Sequence, residues 1–125
     1  MMRLELVSKE EMERLEVVVN NIKRENRSYT NDDAKDLLTW IINIIAENYD
    51  IEITIFKPNT RYASIDFKDT DKSANITIEK RRINLSMFKG EYGYILGSAY
   101  QYIHWGNDTN DFIERISELL KREFI

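Results

Sequence analysis

Residues 37–55 read LLTWIINIIAENYDIEITI, and the hydrophobic period changes inside that run. Leu37, Leu38, Ile41, Ile44 and Ile45, with Ala34 before them, recur at intervals of three and four. Trp40 and Ile42 widen the stripe. Such a pattern predicts a helix that is apolar over much of its circumference and therefore central to the core. Leu38, Ile41 and Ile45, in the middle of the stripe, are the expected core residues. From Ile51 the period is two: Ile51, Ile53 and Ile55 alternate with Glu52 and Thr54, the pattern of a half-buried strand. Helix before this point and sheet after it define an α+β chain.

Toward the N-terminus, the central helix spans about 30–48, starting near Thr30 or Asn31, where Asp32, Asp33 and Asp36 complement the helix dipole. An earlier helix is predicted over 8–25. Ser8 and Glu11 have capping-box spacing, Val7 and Met12 form a hydrophobic staple, and Met12, Leu15, Val18, Val19 and Ile22 make the apolar face. Toward the C-terminus, Pro58-Asn59 ends the first strand, and Ala63, Ile65 and Phe67 alternate in a second. Ile76 and Ile78 occupy even positions, whereas Ile83, Leu85 and Met87 occupy odd ones. That change of parity across Lys80-Arg81 predicts a tight hairpin over 74–88.

The segment 92–105 fits both periods. As a helix, Ile95, Leu96, Ala99, Tyr100 and Ile103 form a stripe. As a strand, Tyr92, Tyr94, Tyr100 and Tyr102 share a face, and aromatic content favours strand. A capping sequence at Asp108-Thr109, just before another helix, tips the reading toward helix. The last helix, about 109–124, buries Phe112, Ile113, Ile116, Leu119, Leu120 and Phe124. The expected fold is a single α+β domain over 1–125. An antiparallel meander of about four strands in 51–88, with a fifth at 92–103 on the strand reading, packs with two N-terminal helices and one C-terminal helix.

Composition removes several function classes. With no cysteine there is no disulfide scaffold, thiolate nucleophile or zinc–thiolate site. The net charge of −4 lacks the positive excess of a dedicated nucleic-acid binder. The longest apolar run, Leu37 to Ala46, is far short of the roughly 20 residues a membrane span needs. The N-terminal residues have no signal-peptide pattern. A cytoplasmic protein is the expectation. Seventeen isoleucines and eleven asparagines fit an AT-rich source such as a low-GC bacterium, its phages or its plasmids.

Motif tests narrow the field further. His104 is the one histidine, with Asp108 and Asp111 close behind, yet no nucleophile or charge-stabilising group accompanies it. Ser98 lacks the glycine two residues earlier that a nucleophile elbow needs. Asp66, Asp69 and Asp71 fail the calcium-loop pattern, because positions six and twelve from Asp69 are Ala74 and Lys80. Neither an enzyme nor a cofactor is expected. Residues 79–82, with Lys80, Arg81 and Arg82, form the one notable basic cluster and are the candidate nucleic-acid contact.

All four glycines lie within 90–106, with Tyr92, Tyr94, Tyr100, Tyr102 and Trp105. Tyrosine and tryptophan bury much area at little entropic cost and are enriched at binding hot spots. Those five aromatics are the candidate partner-binding residues, for a protein or a protein–nucleic-acid complex rather than a membrane. The expected function is a small non-enzymatic binding protein that inhibits or occludes a macromolecule. A phage- or plasmid-encoded inhibitor of a host nuclease or defence system fits, as does a toxin immunity protein. The alternative is a nucleic-acid-associated accessory protein using the hairpin at 79–82.

Overall fold

The computed structural model describes residues 8–25, 30–79, 82–102 and 109–123. Helix α1 spans Lys9–Glu25 and α2 spans Asn31–Ala46. Strands β1 (Ile51–Lys57), β2 (Tyr62–Phe67), β3 (Lys72–Ile78), β4 (Arg82–Lys89) and β5 (Tyr94–Tyr102) follow, and α3 (Thr109–Glu123) closes the order. The strands pair antiparallel in sequence order, β1-β2-β3-β4-β5. This is the α+β meander expected from the change of period at Ile51.

The helices begin where their caps dictate. Ser8 accepts the Glu11 backbone N–H through its hydroxyl, at 3.2 Å; Val7, the staple partner, lies outside the described residues. At α2 the cap is reciprocal: Thr30 Oγ1 accepts from Asp33 N at 3.1 Å, while Asp33 Oδ2 accepts from Thr30 N at 3.0 Å. Asp33 is thus a capping residue as well as a dipole partner, and it is buried. Between α1 and α2, the Arg14 guanidinium bridges Glu11 at 2.5 Å and Asp36 at 3.2 Å. The hydrogen bond from Arg14 holds the Glu11 carboxyl below the usual range.

One face of the sheet is covered by the helices. Cross-strand rows such as Ile53–Ile65–Ala74–Met87 are buried there. They form one core with Leu15 and Val19 of α1, the apolar face of α2, and Ile116, Leu119 and Leu120 of α3. Leu38, Ile41 and Ile45 are fully inside, as their place in the stripe requires. The opposite face is open and polar. Its middle row runs Ser64–Asn75–Ser86–Ser98, laced by side-chain hydrogen bonds from Ser64 to Asn75 and between Ser86 and Ser98.

Two irregularities alter the faces that alternation predicts. In β1 the register skips Thr54 between Ile53 and Ile55. A bulge of this kind flips every later side chain, so Ile55 turns outward while Phe56 packs on the core. The sequence expectation that Ile55 lies with Ile51 and Ile53 is corrected accordingly. Thr54 Oγ1 donates to the Ser64 carbonyl at 3.1 Å. The second irregularity is in β5.

Candidate partner-binding site

The glycine–tyrosine segment forms the end of the sheet. Residues 90–93 make the β4–β5 turn, in which Gly90 and Gly93 adopt φ of 79° and 66°. Side chains rarely occupy that region without strain. The Gly93 N–H donates to the Gly90 carbonyl, and the Gly90 N–H to the Asp71 carbonyl at 2.8 Å, anchoring the turn to its neighbour. Held out by this turn, Tyr92 is 85% exposed, Tyr94 70% and Ile95 67%. Half-buried Phe88 is the register partner of Ile95. Phe88 and Ile95 share one face of the sheet at its end, and Tyr92 and Tyr94 project from the turn and the start of β5.

Residues 94–102 are strand, and the helical reading of 92–105 is corrected. The stripe Ile95–Ile103 fitted a helix only because apolar residues crowd both periods. The backbone hydrogen bonds of β4 decide the matter, with pairing from Arg82↔Tyr102 to Lys89↔Tyr94. The strand reading also placed all four tyrosines on one face, and the register changes that. Tyr92 is in the turn. Leu96 is an extra residue, because Met87 pairs with Gly97 and Phe88 with Ile95, so Tyr94 has the parity of the core face. Tyr100 pairs with Asn84 and Tyr102 with Arg82, about 20 and 26 Å from Tyr94 at roughly 3.3 Å per residue. The side chains of Tyr100 and Tyr102, and all of His104 and Trp105, lie outside the described residues.

At the basic hairpin, Arg82 Nη2 donates to Glu79 Oε1 at 2.6 Å; Lys80 and Arg81 lie outside the described residues. No cluster of three or more metal-ligating side chains occurs among the described residues. None of their helices is long and apolar enough to cross a membrane.

The feature that sequence reasoning missed is the edge. Among the described residues β5 is the last strand of the sheet. Residues 92–107 contain no Asp, Glu, Lys or Arg, in a chain that is 32% charged. Natural edge strands are usually blunted by charge, proline or bulges. The other edge, β1, has such protection: Glu52, Lys57, the bulge at Thr54 and Pro58 immediately beyond. Of such guards β5 has its bulge and, beside it, helix α3.

Helix α3 lies against this edge. Its approach requires Gly97, since a β-carbon there would lie 2.5 Å from Arg122 Nη2 and 2.7 Å from Leu119 Cδ1. Arg122 Nη2 donates to the Leu96 carbonyl at 3.0 Å and Arg122 Nε to Glu123 at 2.9 Å. Between strand and helix runs a cleft of about 680 Å³ lined by Leu96, Gly97, Ser98, Arg115, Glu118, Leu119 and Arg122. Compared with known protein families, curated proteins and solved structures, the chain matches none. The functional reading therefore rests on this geometry.

Proposed function

We propose that this chain is a small non-enzymatic binding protein that inhibits or occludes a partner protein through β5 and the exposed residues at its head. The observation that carries the reading is the exposure of Tyr92, Tyr94 and Ile95 at the head of a nine-residue edge strand without charge. Exposed apolar residues on an edge strand without charge are costly to solubility, and proteins keep them where a partner covers them. Size, modest acidity and the isoleucine- and asparagine-rich composition support a phage- or plasmid-borne antagonist of a host nuclease or defence complex. A toxin immunity protein fits the same features.

A photocrosslinking residue placed at position 92 or 95 tests the reading. Adducts to a protein are expected in host lysate, with none from the same residue at exposed Val17 on α1. Tyr92→Ala combined with Tyr94→Ala should leave thermal unfolding nearly unchanged and weaken partner binding by about 2 kcal/mol or more, the hot-spot range. Reversing Lys80, Arg81 and Arg82 to glutamate should matter far less. The alternative, nucleic-acid association through 79–82, requires the opposite ranking and the steep salt dependence of counterion release.

A further inference from the structure

We infer that Tyr92 is an anchor that inserts into a concave apolar pocket of the partner protein, and that Gly90 and Gly93 are the positioning residues that aim it. This deepens the reading of the exposed residues at the head of β5 and rests on it. The Gly93 N–H donates to the Gly90 carbonyl at 3.1 Å, which closes a tight turn with Glu91 and Tyr92 as its central residues. The bond from the Gly90 N–H to the Asp71 carbonyl ties that turn to the end of the β2–β3 connection. Both glycines adopt positive φ, and neither is there for packing. A β-carbon on Gly93 would meet nothing within 4 Å, and one on Gly90 only Tyr94 Cδ2 at 4.0 Å. Unlike Gly97, they are required for backbone geometry, and that geometry sets the direction of Tyr92.

Tyrosine at this place does little for the fold. With 85% of its surface exposed, Tyr92 touches little of its own chain, and turn positions favour small residues that bond locally. The same exposure defines the surface that receives it. A ring standing free on a convex tip shows both faces and its edge, and a flat partner covers only one of them. Aromatic hot spots contribute most when they are wholly desolvated in a pocket, and a phenol buried that far takes a hydrogen-bond partner for its hydroxyl. The complementary surface is therefore a pocket with apolar walls and a donor or acceptor at its floor. A turn held by backbone hydrogen bonds presents the ring with little left to order on binding.

The test uses the full-length protein and, as its probe, the protein captured from host lysate by crosslinking at position 95, which leaves Tyr92 in place. Tyr92→Ala should weaken binding of that protein about thirtyfold or more, and Tyr92→Phe, which keeps the ring, by much less. Fluorotyrosine at position 92 should be relaxed by a soluble gadolinium chelate in the free protein and shielded from it in the complex. Gly93→Ala strains a left-handed backbone and should weaken binding, whereas Gly93→Asn, which tolerates that backbone, should largely retain it. In a Tyr92→Ala background the two Gly93 variants should bind alike, which a merely structural role for Gly93 would not produce. Thermal unfolding identifies any Gly93 variant that fails to fold, and the Tyr92 variants and the fluorine signal then decide. A fluorine still open to the chelate in the complex, or an equal penalty for Gly93→Ala with and without Tyr92, would overturn the inference. Self-association of the chain that Tyr92→Ala abolishes would assign the pocket to a second copy and overturn it too. Adducts at position 95 with binding unchanged in Tyr92→Ala would refute this inference alone, whereas no adducts from position 92 or 95 would refute the reading on which it rests.

Discussion

Gly97 is selected by its neighbour rather than by its own backbone. Its φ is ordinary for any residue, but Leu119 and Arg122 occupy the space a side chain would need. Arg122 ends in a flexible guanidinium that can move, whereas Leu119 is buried in the core. Gly97→Ala should therefore cost about 1–3 kcal/mol, the usual range for overpacking, measured by urea unfolding. A neutral or stabilising result would mean that α3 does not press on β5. Ile41 tests the opposite case. It is wholly buried in the middle of α2, and Ile41→Ala should cost about 2–5 kcal/mol through lost burial and the cavity left behind. A loss below about 1 kcal/mol would contradict its place in the core. Ile41 could be read from sequence because helical spacing states which face is inside. The role of Gly97 could not, because its constraint comes from residues 22 and 25 positions away.

Among the elements, those with a clean period were legible: both N-terminal helices, the strands over 51–67, the hairpin centred on 80–81, and α3. Bulges were not. Thr54 and Leu96 each shift parity by one residue, and neither is a glycine or proline that would mark the shift. Ile55 therefore faces outward, and Tyr94 parts from the face of the later tyrosines' register. Segment 94–102 was ambiguous because its apolar residues satisfy both periods, and pairing with β4 is a non-local fact. The α1–α2 junction gives a pH test. The hydrogen bond from Arg14 lowers the Glu11 pKa in the folded state, so the contribution of Glu11 is fully present above its unfolded value. It is lost as pH falls through the lower folded value. The deficit in Tm of Glu11→Gln relative to the unaltered protein should be small and steady from pH 6 to 8, and should shrink below pH of about 4.5. A deficit that grows on acidification would contradict the Arg14 bridge.

At the scale of the whole molecule, the helices cover one face of the sheet and leave the other to water. Among the described residues, the strand order makes β5 an edge. The clustering of glycine and tyrosine in 90–106 singled out from sequence alone the region on which the proposed function rests. What it could not reveal was edge status, a property of topology, or the cleft that joins Leu96–Ser98 to the distant side chains Arg115, Glu118, Leu119 and Arg122 of α3. Recognition in this account falls on β5 and the exposed residues at its head. Amide hydrogen exchange, measured residue by residue on the protein alone and saturated with the partner captured by crosslinking at position 92 or 95, tests that claim most directly. The account predicts new protection along 92–102, with the amides of α1 and β1 unchanged. Protection confined to the 79–82 hairpin or to the helices, with β5 exchanging as in the free protein, would contradict it.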